Sequence, residues 1–239
     1  MSEVALLVFD WDGTLSDSLE RIVTCLQIAA EEVGLPVPSE AEGRAIVGLG
    51  LPEALARLFP GAAEERLAAL QESYARHYVR LDAEPPPFFD TVLETLEALR
   101  ADGYRLAVAT GKSRRGLDRV LARLGMDGFF HATRCADETR SKPHPRMLQE
   151  LLALFELPPE RALMVGDTTF DMEMARRAGM PRLGVSWGAH PAEQLLPWRP
   201  IGILERFAEL RDLLGGGELR APARPSGAKA PPPESKAGR

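Results

Sequence analysis

The chain opens on an uninterrupted apolar run. Residues 4–9, Val-Ala-Leu-Leu-Val-Phe, carry no polar side chain. Such a run, followed closely by a glycine, predicts a strand covered on both faces, as in the middle of a parallel sheet. After Thr14 the period changes. Leu19, Ile22, Val23, Leu26, Ala29, Ala30 and Val33 recur at three and four, which predicts an amphipathic helix that starts near Asp17-x-x-Glu20 and ends at Gly34. Further helices are predicted from Ser39-x-x-Glu42, a capping-box pattern, then after Pro52 with Leu55 and Leu58 inside, then through Leu67, Leu70 and Tyr74. No strand pattern interrupts these helices. Residues 16–84 therefore read as a helical insertion, closed by Glu84-Pro85-Pro86-Pro87-Phe88-Phe89.

From residue 90 the pattern alternates. A helix is predicted over residues 90–102, a buried strand over 104–109, and a helix through Leu117, Val120, Leu121 and Leu124. A more polar strand over 129–134 suits a sheet edge; a helix over 147–155 and strands over 162–165 and 182–186 follow. This alternation predicts an α/β fold, a Rossmann-like parallel sheet that the first strand joins across the insertion. The expected organisation is a core of residues 1–15 and 85–214, an α-helical cap of residues 16–84, and a disordered tail of residues 215–239. Parallel sheets place ligands beyond the carboxyl ends of their strands. There the polar residues fall: Asp10 and Asp12 after the first strand, Thr110 after another, Asp167 and Asp171 after a third.

Composition narrows the field. Hydrophobic residues at 45% and charged residues at 27% suit a soluble protein with a substantial core. No run approaches a membrane span, and the N-terminus enters its first strand without a signal-like segment, which predicts a cytoplasmic protein. Cys25 and Cys135 are too few for a disulfide framework or a zinc site. The net charge of -6 hides a basic tail: residues 1–214 carry 24 basic against 33 acidic side chains, a poor surface for nucleic acid.

The chemistry starts at Asp10 and Asp12. If strand geometry persists, both carboxylates leave on one side, and two negative charges at the end of an apolar strand call for a hard dication such as Mg2+, or for one acid to hold a proton. Asp167 and Asp171 add to the negative charge, while Thr110, Gly111 and Lys142 supply donors suited to an anion. A phosphate bridging protein and Mg2+ fits both halves. Asp10-x-Asp12-Gly13-Thr14-Leu15 resembles the nucleophile motif of the haloacid dehalogenase superfamily. Thr110, Lys142 and the Gly166-Asp167…Asp171 segment are similar to its other motifs in order and spacing.

The resemblance implies a phosphatase that hydrolyses a small phosphomonoester, phosphoglycolate-like or a sugar phosphate, through an aspartyl-phosphate. It implies Asp10 as nucleophile and Asp12 as general acid and base. It also implies Mg2+ held by the carboxylates of Asp10 and Asp167 and the Asp12 carbonyl, with Asp171 ordering its waters. Thr110, the Gly111 amide and Lys142 would hold the phosphoryl oxygens. An acid at Asp12 favours phosphate esters over the superfamily's halide-releasing and phosphonate-cleaving members. The insertion looks like the family's helical cap, and the 31 residues between Thr110 and Lys142 are too few for a second large one. The Thr110-Gly111-Lys112 segment and the Gly48-Leu49-Gly50 turn resemble the phosphoglycolate phosphatase branch, although many relatives carry Asn where Gly111 stands.

Other readings remain at this point. A sugar phosphomutase would use the same motifs, and a phospho-accepting regulatory module could use Asp, Thr and Lys around Mg2+. The Gly48-Leu49-Gly50 turn brings backbone close either to a substrate or only to itself, and Arg44 reads as a solvated helix residue or a ligand contact.

Overall fold

The computed structural model describes residues 4–81 and 84–216. Six parallel strands form one sheet in the order β3-β2-β1-β4-β5-β6. These are β1 (Leu6–Phe9), β2 (Arg105–Thr110), β3 (Ala132–Cys135), β4 (Ala162–Gly166), β5 (Arg182–Val185) and β6 (Ile203–Leu204). Between β1 and β2 come α1 (Leu19–Glu32), α2 (Glu40–Arg44), α3 (Leu51–Leu58), α4 (Glu64–Leu81) and α5 (Val92–Ala101). The remaining helices are α6 (Arg114–Arg123), α7 (Arg146–Phe155), α8 (Thr169–Arg177), α9 (Ala192–Leu195) and α10 (Glu209–Leu214).

The apolar opening run is covered on both faces, as expected. Leu7 and Phe9 enter one core with Leu96 and Leu99 of α5 and Leu117 and Leu121 of α6. Leu6 and Val8 enter another with Leu148 and Leu151 of α7 and Met174 and Ala175 of α8. Side-chain alternation along β1 thus makes a three-layer α/β unit. Strand order reverses between β1 and β4, leaving a crevice at their carboxyl ends where such sheets bind ligands.

Helices α1 to α4 bury a cluster of their own, including Leu26, Ala30, Ile46, Leu55 and Leu70. The two connections of this segment lie side by side, with the Asp17 amide donating to the Pro87 carbonyl at 2.8 Å. No helix among the described residues is long and apolar enough to cross a membrane.

Several boundaries differ from the sequence reading. The N-cap position of α1 is Ser18 and not Asp17, and Ser18 does not cap through its side chain because its hydroxyl is used on Asp12. The edge strand starts at Ala132 rather than residue 129, since Phe130 before it is drawn into the core beside Trp11. The short β6, α9 and α10 had no pattern of their own. The expected disordered tail falls, from residue 217 onward, outside the described residues. The Ser39/Glu42 capping box is present, both halves made.

Candidate active site

The turn after β1 is built to hold two acids. The amide of Asp10 donates to Val165 on β4 at 3.0 Å, so the sheet ladder anchors the residue in the crevice. Behind it the Trp11 carbonyl accepts from the amides of Leu15 and Ser16, each at 3.0 Å, which reverses the chain tightly. Gly13 has φ +79, and a Cβ there would collide with the carboxylate of Asp167, so glycine is required on both counts.

Asp10, Asp167 and Asp171 converge. Each offers an oxygen within 4.8 Å of the others, and all three are buried. Lys142 enters between them: its ammonium lies 2.7 Å from Asp10 Oδ1 and 2.7 Å from Asp171 Oδ1, with its side chain fully buried. The other partners hold the acids still. Asp167 accepts from the Thr14 hydroxyl at 2.7 Å and the Ala189 amide at 2.7 Å. Asp171 Oδ2 accepts from the Thr168 hydroxyl at 2.6 Å and the Thr168 amide at 3.1 Å. Helix α8 begins at Thr169, and Asp171 takes the third position of its capping box while its other oxygen faces Lys142. Asp10 Oδ1 accepts from the Trp11 amide at 2.7 Å, but Asp10 Oδ2 is buried without a hydrogen-bond partner among the described residues.

The electrostatics follow from this crowding. Burial pushes the Asp10 carboxyl well above the usual range; Lys142 opposes that, and Asp171 and Asp167 add to it. Asp167 is pushed up to about 7, first by burial and then by Asp171. Burial works against the Lys142 ammonium, but Asp10 and Asp171 outweigh it and raise its pKa. Three close carboxylates with one unpartnered oxygen are a hard-oxygen donor set, and they fit a dication of the Mg2+ kind.

Asp12 stands apart from this cluster, 8% exposed. Its Oδ1 accepts from the Ser18 hydroxyl at 2.6 Å and lies 3.0 Å from the ammonium of Lys112. Lys112 also donates to the Tyr78 hydroxyl on α4 at 3.1 Å. The sequence reading named Lys112 only within the Thr110-Gly111-Lys112 segment, with no role of its own, and did not single out Ser18 or Tyr78. Thr110 is buried, and its Oγ1 accepts from the Lys112 amide at 3.1 Å. Gly111 meets the helical segment directly: a Cβ there would collide with the carbonyl oxygens of Leu49 and Gly48. The Gly48-Leu49-Gly50 turn thus rests on the core, with the Gly50 amide donating to the Ser141 hydroxyl at 2.7 Å. Arg44 lies outside the site and pairs with Glu40 at 2.9 Å. Met172 and Met174 of α8 are buried in the core.

A switch-point crevice that gathers acids around a buried lysine is a place where a parallel α/β sheet can bind a cation and an anion together. Residues 7–185 match the family described as haloacid dehalogenase-like hydrolase, and the chain belongs to that family. It is 36% identical over 211 residues to the protein named "Probable phosphatase IndB" of Dickeya dadantii, covering 86% of this chain and 91% of that one. It is 26% identical to pyrophosphatase PpaX of Bacillus mycoides, over 89% of this chain and 97% of that one. A predicted phosphoglycolate phosphatase of Haemophilus somnus has a crystal structure that superposes with a TM-score of 0.81 at 28% identity, covering 89% of this chain and 99% of that one.

Proposed function

We propose that this phosphatase hydrolyses a small phosphomonoester with Mg2+ and through an aspartyl-phosphate on Asp10. One observation carries the reading. Asp10 Oδ2 is a buried, unpartnered carboxylate oxygen on an acid whose other oxygen is held by Trp11 and Lys142. Such an atom is costly in a merely structural role and is what a nucleophile or metal ligand needs.

The carboxylates of Asp10 and Asp167 would hold Mg2+, with the Asp12 backbone carbonyl as a further ligand and Asp171 ordering the ion's waters. Bound there, the ion would offset the repulsion among the acids and supply positive charge to the phosphoryl oxygens. Lys142, Thr110 and the Gly111 amide would bind those oxygens and orient the phosphoryl group for in-line attack. In the first step Asp10 Oδ2 attacks phosphorus, the bond from phosphorus to the ester oxygen breaks, and Asp12 gives its proton to the leaving oxygen. In the second, Asp12 takes a proton from water as the water oxygen attacks the same phosphorus. Inorganic phosphate leaves and Asp10 is restored. Ser18 and Lys112 both meet Asp12 at Oδ1, so Oδ2 is the oxygen that would carry this proton. Residues 16–84 would act as a cap that closes over the leaving group and excludes water.

The test is release of phosphate from a panel of phosphomonoesters by the purified protein with Mg2+, alongside Asp10→Asn. Turnover by the parent and none by a folded variant is expected. Parental turnover by that variant would overturn the nucleophile, and isomerised sugar phosphate without free phosphate would point to a phosphomutase.

A further inference from the structure

A cavity of about 410 Å3 adjoins the acids between the helical segment and the core. Asp12 and Lys112 line it, whereas Asp10, Asp167 and Lys142 do not, so it is the space on the leaving-group side of the phosphoryl site. Its size falls within the range of about 300–1,000 Å3 typical of pockets for drug-sized ligands. A two-carbon acid would leave most of it empty.

The walls are apolar. Ile22, Leu26, Ile46 and Val47 are buried and Tyr74 and Tyr78 half-buried, all lining the cavity. The charges that line it are Lys112 and Arg119 against Asp12, Glu53 and Asp137. Lys112 is committed: its ammonium lies 3.0 Å from Asp12 and 3.1 Å from the Tyr78 hydroxyl. Arg119 has an interaction of its own. A carboxylate entering here would lose its water, find apolar walls, and compete with Asp12 for a lysine already held. An uncharged ring or branched chain would bury its surface against the same walls at no such cost.

We propose that the leaving group is an uncharged alcohol with an apolar, ring-sized body, and that carboxylated esters such as phosphoglycolate are poor substrates of this enzyme. The inference rests on the hydrolase reading above, and binding separates the two. Calorimetry on the full chain with Mg2+ compares benzylphosphonate with phosphonoacetate, which differ in carrying a ring or a carboxylate on the same carbon. Benzylphosphonate binds at least about tenfold tighter, from the ring surface it buries. Ala75→Arg, at an exposed lining position on α4, supplies an additional cation and shifts the ratio toward phosphonoacetate several-fold. Equal or tighter binding of phosphonoacetate by the parent protein, or an unchanged ratio in folded Ala75→Arg, overturns the proposal. In the turnover arm, benzyl phosphate is hydrolysed with a higher kcat/KM than phosphoglycolate, and the reverse order also overturns it. Absence of turnover on these esters and on acetyl phosphate, with benzylphosphonate still preferred, removes the hydrolase reading and leaves the pocket's preference standing.

Discussion

Single side chains divide the work at this site by which oxygen they occupy. Asp10 gives one oxygen to Lys142 and Trp11 and keeps the other bare, whereas Asp171 spends both, one on Lys142 and one on its own helix start. Asp10→Asn is therefore expected to lower phosphate release by at least about a thousandfold while circular dichroism is unchanged, as loss of a nucleophile typically does. Gly111 is the second position where one atom decides. Gly111→Ala puts a methyl group against two carbonyl oxygens of the facing turn, so the helical segment must stand off from the core. Turnover should fall about tenfold or more with little change in Tm; a variant with parental kcat would show that the contact is dispensable. The acids were legible as residues, since Asp-x-Asp after an apolar run has few other uses. Lys112 was not, because a lysine in a loop reads as solvated until a tyrosine some thirty positions upstream is seen to cover it.

At the scale of elements, the long apolar strands were legible because both faces of β1 and β4, and of β2 beyond the exposed Arg105, are buried, so an apolar run dominates each. Short pieces were not: β6 spans two residues, too few for any alternation to register. The start of α1 was misread for a different reason, since a local capping rule cannot know that Ser18 is recruited by Asp12 across the site. The turn between α2 and α3 carries the next prediction. Gly48 has φ +95, and a Cβ there would come 3.1 Å from the Thr168 hydroxyl, which itself holds Asp171. Gly48→Val imposes a branched side chain on a left-handed backbone, at a cost of about 1–3 kcal/mol. It also presses on a residue that orders the acid cluster. Denaturant melts should report the stability loss, and hydrolysis of an ester with a bulky leaving group should fall more than that of acetyl phosphate.

For the whole molecule, the cluster of buried acids links folding to pH and metal. Burial and the nearby Asp171 push the Asp167 carboxyl up to about 7 from an ordinary value of 3.8, and burial shifts Asp10 in the same direction. Between those two values the folded state holds protons that the unfolded state has released. Stability of the metal-free protein is therefore present in full below the lower value and is lost as pH rises toward the upper one. Thermal melts in chelator should show Tm falling from pH 4 to pH 7. Because the dication replaces those protons, its stabilisation should be larger at pH 8 than at pH 5. A flat profile in chelator would mean that the acids are not strained by their proximity. The core's outline was legible at this scale, since strand and helix alternate from residue 90 onward. How closely the Gly48-Leu49-Gly50 turn approaches Gly111 was not, because that contact joins segments remote in the chain.

The order of strands has a consequence for synthesis. β1 is made before the other five strands of the sheet, yet it lies between β2 and β4, and the latter ends at Gly166. Asp10 therefore lies at the end of a strand that lacks one of its two neighbours until β4 is made, and Asp167 and Asp171, which complete its surroundings, follow only after that. Nascent chains released before α8 should bind no dication and should present a sticky strand to chaperones. With its central pairing this distant in sequence, the core is expected to fold slowly, after the helical segment has already formed from local contacts.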